Sequence, residues 1–334
     1  MASCSRFEDY QVGQVLALTV LPGQSETGLA STIHARIREL LMPRTLSCCT
    51  VVDLASETWP GTIDKPDEPI FLKLYDRRFS EQLRYQFGID PWTKDFESAY
   101  IQAVRTGKAR QFLHDLKTIS NFQEDTEELW DDGQNETFLA EQADKLYNNE
   151  TNAYDALGDI QGELVPRLVA RVSLALSAPD VNNNGANVTN NEDLLPVKGV
   201  LLQFIPGFSL GEVQDLAPKS AWQTIVDQAV AAVQAAGDRG ILNRDVRPDS
   251  FLVQRTGDST NSENYKVVMI DFGLSRLRGA DESDRNWAKA KLRKDEKGAV
   301  GLVMKKRLSS QGFELRYENS DRYMEYAGGD DEDE

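Results

Sequence analysis

The chain of 334 residues carries 54 acidic against 37 basic side chains, a formal charge of −17 at pH 7, with 40% apolar and 27% charged residues. This is the composition of an ordinary folded protein, long enough for one large or two modest domains. The charge argues against nucleic acid or an anionic membrane as partner, and no stretch reads as a membrane span or a secretory leader.

In chain order, residues 14–21 (QVLALTVL), 46–54 (LSCCTVVDL) and 69–75 (PIFLKLY) read as strands, with Pro69 suited to a strand start. Together they predict an antiparallel sheet. Residues 79–157 are polar, charged and nearly free of proline, with apolar residues at helical spacing. They predict several helices, the last ending near Leu157. Strands are expected again at 165–172 and 197–204. Between them, 181–196 (VNNNGANVTNNEDLLP) has too little apolar surface for a core and reads as a disordered loop. Residues 220–236 form the clearest helix, with Trp222, Ile225, Val226, Ala229, Val230 and Val233 on one stripe. Ser220 is the expected N-cap and Gly237 the expected stop. FLVQ (251–254) and KVVMI (266–270) predict a hairpin, and 276–308 a largely helical segment with Val300, Val303, Met304 and Leu308 on one face. The chain closes on the acidic GGDDEDE.

Three cysteines, Cys4, Cys48 and Cys49, are sparse and odd in number, as in a reducing compartment. Cys48 and Cys49, adjacent on a strand, would point to opposite faces and not pair. The sequons at Asn135, Asn149 and Asn187 are then read as chance. The expected location is intracellular and cytoplasmic, with the nucleus also open. His34 and His114 lack a second His or Cys at ligand spacing, which argues against a zinc site or a His-based triad.

Chemistry concentrates in four places: a lysine on the third strand (Lys73), a glutamate on a later helix (Glu150), the loop ILNRDVRPDSFLV (241–253), and Asp271-Phe272-Gly273 after the hairpin. Their order resembles the protein-kinase-like superfamily, whose catalytic loop reads H-R-D-L-x-x-x-N. LKLYDRRF (72–79), IDPW (89–92), E-x-x-A-Y (150–154), QGELVPRLV (161–169), LLQFIPG (201–207) and IDFGLSR are most similar to the divergent kinase-like proteins of fungi. The resemblance spans about residues 12–310.

The resemblance implies an α+β, two-lobed kinase-like fold. Residues 1–204 would be the N-lobe, with a helical insertion over 79–148. Residues 205–327 would be a reduced helical C-lobe, and 328–334 an acidic tail. It implies ATP and magnesium as cofactors and a hydroxyl acceptor on a protein or small molecule. Lys73 would contact the nucleotide phosphates and Glu150 would hold it by an ion pair, with Glu141 as competitor. Ile205 would offer backbone groups to adenine, beside Gln203 and Leu202. Asp245 would take the acceptor's proton, Arg247 would steady the transferred phosphate, and Asp271 would bind the metal, with Ser250 at the second metal position. The plainer alternatives are a snorkelling lysine on an edge strand for Lys73 and turn-forming carboxylates for Asp245 and Asp271.

Four departures keep a non-catalytic pseudokinase, acting as a nucleotide-binding or interaction module, as the alternative. Ser250 replaces Asn, leaving a shorter neutral ligand, which Asp249 could supplement. Asn243 replaces His. GQSETG (23–28) lacks the glycine spacing of a phosphate-covering loop. No proline follows Pro248, so an A-P-E segment and its protein-substrate platform are missing. Residues 276–307 hold 11 basic against 5 acidic side chains, a solvated face or a docking surface for an acidic partner or for the chain's own DDEDE tail.

Overall fold

The computed structural model describes residues 10–23, 28–58, 68–175, 194–256, 264–320 and 322–326. Cys4, Asn187, most of GQSETG, most of the expected loop at 181–196 and the acidic tail lie outside them. The chain forms two compact units, one from Met1–Tyr147 and Leu168–Phe204, the other from Asn148–Arg167 and Ile205–Glu334. Each mixes helices and strands.

The first unit is built on six strands: β1 (Val15–Val20), β2 (Thr32–Leu41), β3 (Cys48–Leu54), β4 (Ile70–Leu74), β5 (Leu168–Leu174) and β6 (Val197–Gln203). The expected antiparallel pairing is present, but the sheet does not stay open. It closes into a barrel in the order β1-β2-β3-β4-β6-β5. Strand β2 was not among the expected elements, although its alternation is plain: Ile33, Ala35 and Ile37 are buried while their neighbours are exposed. Bulges between Ile37 and Glu39 and between Leu168 and Ala170 interrupt two ladders, the device by which a sheet bends. Leu16, Leu18, Val52, Leu72, Leu74, Val172 and Leu201 belong to its core. Cys48 joins that core and Cys49 is half-buried, and neither forms a disulfide.

Between β4 and β5 run α1 (Glu81–Gln86), α2 (Lys94–Arg105), α3 (Lys108–Thr118), α4 (Phe122–Thr126) and α5 (Asp132–Ala156). Thr93 caps α2 by accepting from the Phe96 N–H at 3.2 Å. The unit boundary falls inside α5. Its last turns, in the second unit, bury Glu150, Ala153 and Tyr154 at i, i+3 and i+4, and Leu157 just after the helix is buried too.

The second unit continues with β7 (Phe208–Ser209), α6 (Val213–Leu216), α7 (Lys219–Asp238), β8 (Ile241–Asn243), β9 (Phe251–Thr256), β10 (Asn264–Met269), β11 (Ser275–Leu277), α8 (Asp284–Lys294) and α9 (Gly298–Ser309). The expected hairpin is β9–β10, extended by β7; β8 pairs with β11. Helix α7 carries the expected stripe, with Val230 only half-buried. Full burial of such side chains is worth about 1.5–3 kcal/mol each. Its ends differ from expectation. Pro218 is the N-cap, and Gly237 is buried inside the helix, where an added Cβ would lie 2.9 Å from Lys291 Nζ. The turn is made by Gly240, at φ +74°. Gln228 fixes α7 to β10: its Nε2 donates to the Tyr265 carbonyl at 3.0 Å and its Oε1 accepts from the Val267 N–H at 3.1 Å. In α9, Val300, Met304 and Leu308 are buried.

Candidate functional site

In the second unit the loop 243–250 and the turn at 271–273 meet through one side chain. Asn243 ends β8 and is buried. Its Nδ2 donates to the Asp271 carbonyl at 3.0 Å, and its Oδ1 accepts from the Asp245 N–H at 3.0 Å. A primary amide has a donor and an acceptor, so one side chain satisfies one backbone group on each loop. Asn243 therefore bridges the two loops.

Below this bridge lies a buried ion pair absent from the expectations. Lys291 on α8 pairs with Glu296 and donates to the Ile241 carbonyl at 3.0 Å; Glu296 accepts from the Asn243 N–H at 2.7 Å. The two charges hold both backbone ends of β8. Burial pushes the Glu296 carboxyl above its ordinary range, and Lys291 offsets only part of that. The sequence signal was the spacing K-x-x-x-x-E across the end of a helix, which is common enough to pass unnoticed.

Asp245 is partly exposed and stands 3.5 Å from the Arg247 guanidinium. Burial raises its carboxyl pKa, Arg247 pulls it back, and Asp271 adds to the rise. A carboxylate with raised basicity is suited to accept a proton. Ser250 is buried. Its hydroxyl donates to the Asp245 carbonyl at 3.1 Å, and the Ile270 N–H donates to the Ser250 carbonyl at 2.8 Å. Asp249 Oδ1 accepts from the Ser209 hydroxyl at 2.7 Å. Asp271 takes the left-handed backbone, φ 66°, a conformation Asp and Asn tolerate better than other side chains. Phe272 is fully buried and meets Tyr154 edge to face, with ring centroids 5.7 Å apart. Asn149 donates to the Gly273 carbonyl at 3.1 Å. The E-x-x-A-Y segment thus supports the Asp-Phe-Gly turn directly. Ile205, at the start of the second unit, is buried. Gly207 lets the backbone pass β9: an added Cβ would lie 2.5 Å from the Val253 carbonyl oxygen.

In the first unit, Lys73 lies on β4, which pairs with β3 on one side and β6 on the other. The edge-strand alternative is therefore excluded. Lys73 is 7% exposed, alternates with the core residues Leu72 and Leu74, and lies 5.5 Å from the Tyr75 ring. Leu202 and Gln203 end β6, in register with Phe71 and Ile70. Glu141 pairs with Lys117 at 3.4 Å. Glu150 is fully buried on α5.

The motif after Lys73 has a structural role that sequence reasoning missed. Asp76, Arg77, Arg78 and Arg84 are all buried. Arg78 clasps Asp76, which also accepts from the Tyr10 hydroxyl at 2.7 Å. Arg77 pairs with Glu97 on α2 at 2.7 Å and with Glu136 on α5; Arg84 reaches the same Glu136 at 2.7 Å. Trp92 of IDPW donates to Glu97 at 3.1 Å. Burial opposes the Asp76 charge, but Arg78 outweighs it and the carboxyl stays below its usual range.

Among the described residues no cluster of three or more His, Cys, Asp or Glu side chains could hold a metal ion by itself, and no helix is long and apolar enough to cross a membrane. No family model matches the chain. It is 28% identical over 130 residues to the serine/threonine-protein kinase Pkn1 of Myxococcus xanthus, covering 35% of this chain and 17% of that protein. The match therefore spans about a sixth of its curated relative. Among solved structures, the chain is similar to the Rio2 kinase of Chaetomium thermophilum in its ADP/Mg2+-phosphoaspartate complex (TM-score 0.47, 10% identity, 87% of this chain and 61% of that one). It is also similar to the PknI kinase domain of Mycobacterium tuberculosis (TM-score 0.37, 13% identity, 88% and 78%). The likeness to Pkn1 supports the kinase-like resemblance at the level of the superfamily.

Proposed function

We propose that this chain is an ATP-dependent phosphotransferase of the protein-kinase-like superfamily, acting on a hydroxyl of a protein or small molecule. The observation that carries the reading is the Asn243 bridge, which ties the backbone of Asp245 to that of Asp271. Phosphoryl transfer asks the protein mainly to position a base and a metal-bound nucleotide, and a hydrogen-bonded link between those two loops supports this reading.

In this reading Asp245 accepts the acceptor's proton. Arg247, beside it, presents a forked cation to the transferred phosphate. Asp271 holds magnesium, with Ser250 as a secondary oxygen. This small donor set suits that ion, which is commonly held by one or two carboxylates together with substrate phosphates and water. Bound there, magnesium would neutralise charge on the phosphates. Lys73 is assigned to the nucleotide phosphates, Glu150 to the orienting role the resemblance implies, and Leu202, Gln203 and Ile205 to adenine. The unit with the barrel and inserted helices is read as the N-lobe, the other as a reduced C-lobe. The motifs resemble those of the divergent kinase-like proteins of fungi, which this reading retains as a proposal.

Asp245→Asn tests the reading. Phosphate transfer from labelled ATP to a panel of hydroxyl acceptors should fall about 10²–10⁴-fold, the usual worth of a general base, with folding intact. Transfer that is unaffected by this change removes Asp245 from the chemistry. The pseudokinase reading draws on Ser250, whose hydroxyl is already engaged by the Asp245 carbonyl. ATP binding without transfer by wild type or Ser250→Asn would favour it.

A further inference from the structure

The first unit carries a cleft unrelated to the residues above. It has a volume of about 350 Å³ and is lined by Phe87, Glu127, Glu128, Trp130, Asn135 and Phe138. Its floor is aromatic. Phe87 meets Phe138 at 4.7 Å between centroids, Phe138 meets Trp130 at 5.2 Å, and Trp130 meets Phe112 at 4.9 Å. Phe87 is 39% exposed, and Leu129, beside the lining residues, is 84% exposed.

The rim is acidic. Residues 118–135 contain Glu124, Asp125, Glu127, Glu128, Asp131 and Asp132 and no lysine or arginine. All six are exposed. They sit in a chain whose overall charge is −17, so the long-range field and the local rim draw the same kind of partner. An apolar anchor would fill the aromatic floor, flanking cations would meet Glu127 and Glu128, and a cation could also lie over the Trp130 face.

We propose that this cleft docks a basic amphipathic polypeptide segment, with aliphatic or aromatic anchors on one side and lysine or arginine on the other. A second copy of the chain is the less favoured occupant, because two molecules of this charge repel.

The test uses the full chain and two 18-residue probes: an amphipathic leucine–lysine peptide and a leucine–glutamate peptide of the same pattern. Binding is read by anisotropy of the labelled peptide and by Trp130 emission, with Trp130→Phe identifying the signal. The leucine–lysine peptide should bind and shift the emission, while the leucine–glutamate peptide does not. Glu127→Lys/Glu128→Lys should weaken binding at least about tenfold, as reversing charges at an interface does. Leu129→Ser, at an exposed position that folding does not need, should weaken it separately. Three results would overturn the proposal: no binding at low salt, binding unchanged in the charge-reversed and Leu129→Ser variants, or self-association of the chain without peptide.

Discussion

At the scale of single residues, Asn243 explains how the loop 243–250 and the turn at 271–273 are held together. Its amide serves two backbone groups in a buried position. Asn243→Ala strands both and should destabilise the protein by roughly 1–3 kcal/mol in urea melts. Asp245 behaves oppositely. Burial raises its pKa, so its ionisation works against folding, and this cost grows as pH rises through its folded pKa. Asp245→Asn should therefore melt at or above the wild-type temperature at pH 7, with the difference vanishing well below the ordinary carboxylate range. A lower melting temperature at pH 7 would mean that the Arg247 contact outweighs burial. These roles were only partly legible. The motif letters marked Asp245 and Asp271, but nothing in the letters says that Asp249 accepts a hydrogen bond from Ser209.

At the scale of elements, the two least legible features are buried charges. Strand β8 is short, and its backbone is held by Lys291 and Glu296. Lys291→Met would leave Glu296 buried without its cation. Breaking such a pair commonly costs about 3–5 kcal/mol. Without Lys291 the Glu296 pKa rises further, so the loss should be largest near pH 7.5 and shrink as acid neutralises the carboxyl. Urea melts at pH 5 and pH 7.5 would show this, and a pH-independent loss would contradict it. In the first unit, Glu136 receives both Arg77 and Arg84. Glu136→Ala should cost a similar amount by thermal or urea melts and should loosen α1, α2 and α5 together, seen as faster hydrogen exchange in all three. Apolar periodicity revealed α7 and the hairpin because burial there follows spacing. It also marked β2, where Ile33, Ala35 and Ile37 alternate, although that strand was not anticipated. The ion-pair network had no such signal: Arg77, Glu97 and Glu136 are far apart in sequence, and each alone reads as a surface charge.

At the scale of the whole molecule, mixed helices and strands and five of the six strands of the first unit were readable from the sequence. Barrel closure was not, because pairing β1 with β5 joins residues about 150 apart and depends on register and bulges rather than on composition. The acid excess is consistent with a basic partner at the aromatic cleft and leaves the phosphotransfer reading to rest on the loops of the second unit. That reading is tested most directly by calorimetric titration of ATP, with and without magnesium, into wild type, Asp245→Asn and Asp271→Asn. Asn tolerates the left-handed backbone at 271, so the last change removes charge rather than the fold. The account predicts magnesium-dependent binding in wild type that survives Asp245→Asn and is lost in Asp271→Asn. No binding to wild type under either condition, or equal binding in all three, would contradict it.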